Sequence, residues 1–466
     1  MVMASILYGP SQATTGRRTR PRSAPVRAAV PGPAPSRPAT PSCCTRAEPA
    51  GSNRMVSASA LHPLHRLWRA LPARSRRRLL SHGTALLAPR PDRPPPAVVP
   101  ERGMIVGGEI GRASGLGEAA RLMLRGLEAI GIPGHGLQAG LRIPGDASED
   151  PARPHDPSRR LPPGLPLLLH VNAPLLPAAL LRLPRGLLRG RRVIGHWAWE
   201  LPVAPPDWLA GTAFVHEVWA PSRFTAQALE ALMPGRVRVV PYPIAAAQPR
   251  PSALGRADFA LSDTAVVTLV SFNLASSFAR KNPLAAIAAH REAFGGRPDR
   301  VLVVKTGTPD RHPGDMALLR EAADGAGNIR FETRVLPIAD SHALTACADI
   351  VLSLHRSEGF GLVPAEAMLL GRAVVSTDWS ATAEFLDAGC GVPIPCRLVP
   401  ARDPRGVFEA EGAVWADADV GAAAQALRAL ADDPERRAAL GAAAREAAHR
   451  RLGAEPLRAA LMSLAA

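Results

Sequence analysis

Two glutamates separated by seven residues, Glu358 and Glu366, stand in the stretch "SEGFGLVPAEAM" (357–368), with Gly359, Phe360 and Gly361 directly after the first. Paired carboxylates suit acid–base work, whereas a glycine loop entering a helix suits phosphate. Pro364 fits the first turn of a helix, where its missing N–H costs nothing. The helix therefore starts near Leu362, and the two carboxylates do not share one helical face. Gly359 and Gly361 let the backbone approach a ligand, and the amides of a helix N-terminus favour an anion. A diphosphate held there would place a sugar near Glu358 and a nucleoside near Glu366. Carboxylates suit both ends because each accepts hydrogen bonds from two hydroxyls at once. The alternative reads Glu366 as a charge favouring the helix dipole and Glu358 as a surface loop residue.

A second group of interest is "SFARKNPLAAIAA" (277–289), which holds Arg280 and Lys281. The chain has only two lysines, Lys281 and Lys305, against 54 arginines. A compositional bias explains most of that imbalance. A site that needs a compact, strongly hydrated point charge resists replacement by a planar guanidinium, so both lysines are candidates for such a site. Lys305 ends a strand and could line the same cleft.

The net charge of +16 sits almost wholly in residues 1–100, where 16 arginines face only Glu48 and Asp92. The remaining chain is near neutral, which argues against a basic groove for nucleic acid within the fold. Five cysteines, Cys43, Cys44, Cys347, Cys390 and Cys396, include no C-x-x-C pair and imply neither a zinc site nor a disulfide framework. A reducing cytoplasm fits them best. The N-terminus lacks the apolar stretch of a secretory signal, and the most apolar region, 161–188, is broken by prolines, Arg182 and Arg185 and is not a membrane span.

The elements that must position these residues alternate. Residues 1–60 have no hydrophobic period and read as disordered, and Met55 is a candidate alternative start. The arginine-rich stretch 61–87 has helical spacing; it is either a solvated helix beside the fold or a peripheral contact with anionic lipid. Ordered structure is expected from about 101. There the run 103–108, a glycine loop with Gly111, Gly115 and Gly117, and an apolar helical period open a βαβ unit. Further strands are predicted over 165–172, 191–198, 216–221 and 237–243. After a linker over 244–263 the alternation restarts, with strands at 265–273, 300–307, 328–333, 349–355 and 373–378. Such alternation means parallel sheets covered by helices on both faces. The expected divisions are a basic extension 1–100, a first domain 101–248, a second domain 249–435 and a C-terminal helix 436–466.

Taken in order, these stretches resemble the retaining glycosyltransferases of GT-B fold, the "glycosyl transferases group 1" type with its E-x7-E motif. "GEIGRASGLGEAAR" is similar to that family's first glycine loop and "SFARKNPLAAIAA" to its basic donor-phosphate motif. "GHWAWELPVAPPDW", "VHEVWAPSRFTAQAL", "VRVVPYPI" and "STDWSATAEFL" follow the same order. The resemblance spans about 105–435 and implies α/β architecture, two doubly wound Rossmann-like domains facing across a cleft. It implies transfer of a sugar from a nucleoside diphosphate to an acceptor hydroxyl with retention. Lys281 and Arg280 would then neutralise the diphosphate, together with the amides of Phe360, Gly361 and Leu362. Glu366 would bind the ribose, Glu358 the transferred sugar, and His196 would face that sugar from the first domain. Gly111, Gly115 and Gly117 would pass near the phosphates, with Arg112 or Ser114 reaching toward the ligand. No metal or other cofactor is expected beyond the donor itself, and no nucleic acid. The acceptor is open among a glycan, a lipid-linked and a small molecule. A sugar-nucleotide epimerase of the same fold, or a degenerate nucleotide-sugar-binding protein, is the rival. The location implied is cytoplasmic, with or without contact at a membrane surface.

Overall fold

The computed structural model describes residues 71, 73–112, 114–141, 161–408 and 410–465. The extension expected to be disordered, Met55, Cys43, Cys44 and the middle of the Pro-rich segment 133–166 lie outside them.

Apolar runs, rather than alternating ones, build the inner strands of the first sheet, because a parallel sheet is buried on both faces. Strands β1 (Met104–Gly108), β2 (Gly134–Gln138), β3 (Leu167–Leu169), β4 (Val193–His196), β5 (Glu217–Ala220) and β6 (Val237–Val239) pair in the order β2-β1-β3-β4-β5-β6. Every pairing is parallel. The sequence reading missed β2, "GHGLQ", whose two glycines give it no strand-like side-chain pattern; its backbone ladder to β1 makes it an edge strand.

The second sheet runs β12-β11-β10-β7-β8-β9, from β7 (Val266–Asn273), β8 (Arg300–Gly307), β9 (Ile329–Glu332), β10 (Ile350–Ser353), β11 (Ala373–Thr377) and β12 (Val392–Ile394). It too is parallel throughout. Short, proline-bearing β12 is at the edge, where proline is tolerated. An antiparallel hairpin, β13 (Cys396–Pro400) with β14 (Val414–Ala418), was not foreseen. Two Rossmann-like domains are therefore present, as expected.

The folded body begins before residue 101, and this corrects the sequence reading. Helix α1 (Ala73–Leu87) packs on the short helices Leu176–Leu180 and Leu209–Thr212, with Leu80 and Ala88 buried. The segment after it is tied down as well. The Asp92 carboxylate accepts from the Gly190 amide at 2.7 Å, and Arg93 donates to the Val215 carbonyl at 3.2 Å.

The expected linker contains two short 3-10 turns, Ile244–Ala247 and Arg256–Phe259. One core cluster joins Val106 and Leu122 of the first domain to Val267, Met368 and Ala448 of the second. The chain end crosses the molecule. Helix α2 (Gly115–Ala129) follows β1, and helix α5 (Leu362–Leu369) follows β10. Helix α6 (Val420–Asp432) packs on α4 (Pro283–Phe294), and α7 (Pro434–Arg451) packs on α5. Helix α8 (Glu455–Met462) then returns to α2 of the first domain. The foreseen break at Asp432–Pro434 is real: the Asp433 carboxylate caps α7 through the Arg436 amide at 2.8 Å.

Candidate functional site at the domain cleft

Strand order in the second sheet reverses between β7 and β10, and the carboxyl ends of parallel strands at such a point form a crevice. The loops that follow β7, β10 and β11 meet there. Ser277 caps the short helix Phe278–Lys281 by accepting from the Arg280 amide at 3.1 Å. Asn282, in the left-handed region at φ 51°, donates to the Leu354 carbonyl at 3.0 Å. These bonds bring Lys281 Nζ to 2.5 Å from Glu358 Oε1 and Arg280 Nη1 to 3.2 Å from Glu358 Oε2. Arg280 also donates to the Ser357 carbonyl at 2.7 Å, and its guanidinium lies 4.8 Å from the Phe408 ring.

The loop after β11 holds Glu358 from its other side. Its amide donates to Ser380 Oγ at 2.9 Å, and its carbonyl accepts from the Ala381 amide at 3.2 Å. Ser380 accepts the first of these bonds at φ 65°, a backbone state that costs a non-glycine residue about 1 kcal/mol or more. Burial alone would raise the Glu358 carboxyl; Lys281 and Arg280 outweigh it and hold the group down at about 2. Glu358 is thus ionised at neutral pH inside a protein-lined site.

Gly361 precedes α5 at φ 98°, and a Cβ there would strike Thr382 Cγ2. The first intrahelical bond is from the Ala365 amide to the Gly361 carbonyl, at 3.1 Å. The amides of Leu362 and Val363 come before it and have no intrahelical acceptor. Glu366 lies one turn along α5, 3.8 Å from His342 Nε2, and feels Glu118 and Arg125 of α2 across the cleft. Burial pushes its carboxyl above the ordinary value. The two glutamates therefore sit in separate surroundings and are not a matched acid–base pair.

The first domain closes directly on this loop. Ser222 Oγ donates to the Gly359 carbonyl at 2.8 Å, and Thr225 Oγ1 lies 3.3 Å from the same carbonyl. The amides of Arg223 and Phe224, at the start of helix α3 (Arg223–Glu230), donate to the Glu384 carboxylate at 2.9 and 2.7 Å. Tyr242 meets Phe360 edge-on at 4.8 Å. A cavity of about 440 Å³ runs along the seam, lined in part by Ser222, Pro241, Phe360 and Arg451.

The other residues singled out in the sequence fall as follows. Gly111 donates its amide to Gln138 Oε1 at 3.1 Å, and Gly115 opens α2. A Cβ on Gly117 would collide with the Arg112 and Glu109 carbonyls, so this glycine allows the loop to close on itself. Ser114 caps α2 by accepting from the Gly117 amide at 3.1 Å, and Arg112 pairs with Glu109 at 3.1 Å. Both side chains thus serve the loop itself. His196 does not face the cleft, which corrects the expectation. It is fully buried, stacked on His170 at 4.6 Å and on Tyr242 at 5.0 Å, with Nε2 3.0 Å from the Val240 carbonyl. Burial lowers its imidazole to about 4, so it is neutral. Lys305 is also apart: it reaches the Arg334 carbonyl at 3.1 Å, beyond β9 and away from the switch point.

The sequence reading passed over Glu200, Ser380, Asp403 and Phe408. Glu200 ends the stretch "HWAWE" and comes within 3.7 Å of Arg280 Nη2. Asp403 accepts from Ser277 Oγ at 3.2 Å and from the Phe408 amide at 3.0 Å, so the hairpin supports the cation pair. Glu200 and Ser380 both lie in stretches that resemble the family, "GHWAWELPVAPPDW" and "STDWSATAEFL", but neither stands out there by type or spacing; Asp403 and Phe408 lie outside them. Among the described residues, no three His, Cys, Asp or Glu side chains converge to hold a metal ion.

Residues 283–433 match the family model described as Glycosyl transferases group 1. Over 176 residues the chain is 32% identical to a phosphatidyl-myo-inositol mannosyltransferase of Mycolicibacterium smegmatis; the match covers 37% of this chain and 38% of that relative. Less than half of the curated relative is therefore represented. Among solved structures, HepE of Anabaena in complex with UDP-glucose has a TM-score of 0.53 at 14% identity, covering 78% of this chain and 98% of that one. Sucrose-phosphate synthase from Thermosynechococcus elongatus has a TM-score of 0.51 at 17% identity, covering 80% and 98%. A glycosyltransferase from Rickettsia africae has a TM-score of 0.52 at 12% identity, covering 78% and 96%. At such identities the likeness is one of fold, the GT-B arrangement of two domains about a cleft.

Proposed function

We propose that the protein is a glycosyltransferase that takes a hexose from a nucleoside-diphosphate sugar and transfers it, with retention, to an acceptor hydroxyl. The observation that carries this is the meeting of Lys281, Arg280 and Glu358 with the N-terminus of α5 at the switch point. The match over 283–433 and the UDP-glucose bound to HepE support the choice of donor class.

In this reading Lys281 and Arg280 neutralise the diphosphate, and the amides of Phe360, Gly361 and Leu362 add donors aimed at an anion. Glu366, one turn further along α5, accepts from the ribose hydroxyls. Glu358, ionised and fixed by Ser380, orients the sugar and stabilises positive charge that develops at its anomeric carbon. The departing phosphate takes the acceptor proton, so no carboxylate attacks and no metal is needed. Gly111, Gly115 and Gly117 shape the first-domain wall near the phosphates. His196 packs behind that wall, stacked on Tyr242, which meets Phe360. The second domain holds the donor and the first takes the acceptor, which is a glycan, a lipid-linked or a small molecule. A cytoplasmic site of action fits this donor.

No described helix is long and apolar enough to cross a membrane. Helix α1 nonetheless turns Leu79, Leu86 and Leu87 outward, at 54%, 84% and 76% exposure, beside exposed Arg78. We include peripheral contact of this face with an anionic membrane in the proposal; co-sedimentation with anionic but not neutral vesicles would support it, and equal recovery from both would remove it.

Thermal-shift measurements against UDP, GDP, ADP and their sugars test the main reading. A rise with one nucleotide series is expected, and none with any would sink it. Incubation with the donor alone separates the epimerase alternative, which would release an epimerised or free sugar without acceptor.

A further inference from the structure

We propose that Glu200 is the counter-ion that a donor diphosphate displaces from Arg280, and that donor binding leaves a proton on the Glu200 carboxylate. The inference rests on the donor site proposed above and assigns to it a residue from the opposite domain.

Four charged side chains meet at the cleft: Arg280 and Lys281 from the loop after β7, Glu358 from the loop after β10, and Glu200 from the loop after β4. Their formal charges balance. Glu358 is hydrogen-bonded to Lys281 at 2.5 Å and paired with Arg280 at 3.2 Å. Glu200 stands 3.7 Å from Arg280, outside hydrogen-bond range, and it is the one member contributed by the first domain. It is therefore the looser of the two carboxylates.

The surroundings of Glu200 are defined on each side. Arg280 and Lys281 attract its charge, and Glu358 repels it. Burial, and after it Glu200 itself, keeps the Tyr242 hydroxyl, after β6, neutral. Asp403 faces Arg280 from the hairpin side, and neutral His355 lies next to Glu358. Burial already raises the Glu200 carboxyl, and only the cations oppose this.

A bound nucleotide sugar brings two further negative charges to the same cations. Two carboxylates and a diphosphate then share two cations in a largely water-excluded space. A proton on one carboxylate relieves the excess. Glu358 keeps its bonds to Lys281 and Arg280, so the proton goes to Glu200. By linkage, a group whose pKa is higher in the complex than in the free protein favours binding at low pH. Affinity then falls by up to about tenfold per pH unit between those two pKa values.

The experiment is isothermal titration calorimetry of the full chain with UDP-glucose, GDP-mannose and ADP-glucose. It is run between pH 6 and pH 8 in two buffers of different ionisation enthalpy. The diphosphate of a nucleotide sugar is a diester-type anion with no proton to gain in that range. Wild type is expected to take up a fraction of a proton and to lose affinity as pH rises. Glu200→Gln should bind with no proton uptake from this position, keep its affinity across the range and bind more tightly than wild type at pH 8. Glu200→Ala, with its melting temperature recorded beside it, guards against a folding effect of the amide. Binding without proton uptake by wild type, or an uptake unchanged in Glu200→Gln, would overturn the inference and leave the donor site standing. If no donor binds wild type at all, the functional reading fails and this inference fails with it.

Discussion

Replacing Lys281 by alanine removes the cation 2.5 Å from Glu358 Oε1 and leaves Arg280, at 3.2 Å from the other oxygen, as its remaining partner. Breaking a buried ion pair by truncating one member costs roughly 3–5 kcal/mol when the survivor is left alone. Here Arg280 remains and the Lys281 side chain keeps 22% of its exposure, so a loss of about 2 kcal/mol in unfolding free energy is expected. The effect on ligand binding is separate. One charge-assisted hydrogen bond to a phosphate is worth about 1.5–3 kcal/mol, which raises Kd by roughly ten- to more than a hundredfold. Denaturant unfolding and calorimetric titration with the nucleotide found by thermal shift give the two numbers independently. Lys281→Arg should restore much of the stability but less of the binding, because a planar fork does not reproduce a compact ammonium at the same point. Unchanged nucleotide affinity in Lys281→Ala would show that the donor phosphates lie elsewhere.

Three further outcomes follow from the same geometry. Gly361→Ala forces a Cβ into Thr382 at φ 98° and should cost roughly 1–3 kcal/mol in denaturant unfolding; a loss within error would contradict the tight approach of the two loops. Acid should destabilise the protein early, because His196, His290 and His355 have folded values of about 4 against 6.5. Depressed values mean that their contribution is complete above pH 6.5 and is lost as pH falls toward 4, so a melting temperature flat across that window would refute their burial as neutral groups. Glu366→Ala should weaken nucleotide binding by about 1.5 kcal/mol or more, while a short substrate fragment with no nucleoside should bind as before; equal loss for both would remove Glu366 from the ribose.

Much of the architecture was legible because apolar runs of four to eight residues, spaced by helical periods, can be buried on both faces only in parallel sheets. The strands at 104–108, 266–273 and 300–307 stand where those runs predict. The start of α5 at Leu362 was legible from Pro364 and the glycines before it. The elements missed are those whose identity comes from backbone pairing: β2 with its glycines, β12 with its proline, and the β13–β14 hairpin. The folded start was misjudged for a related reason. The dense arginines of 61–87 mask Leu80, the buried apolar position of α1.

Within the candidate site, residue types and order were enough to select Lys281, Arg280, Glu358 and Glu366. A cationic pair after one strand and two carboxylates about a glycine loop after another are local patterns, readable along the chain. Whether those patterns meet is not local. The β7–β10 adjacency puts Lys281 on Glu358 across 77 residues of sequence. The closing of the two domains sets Glu200 against Arg280, and Ser222 and Thr225 against the Gly359 backbone. His196 shows the limit most clearly. Its type and place at the end of β4 suit a ligand-facing residue, yet packing between His170 and Tyr242 buries it. Which charges exist, and which loops carry them, can be read along the chain. Which of them share one low-dielectric space depends on strand order and domain closure, and no local spacing encodes either.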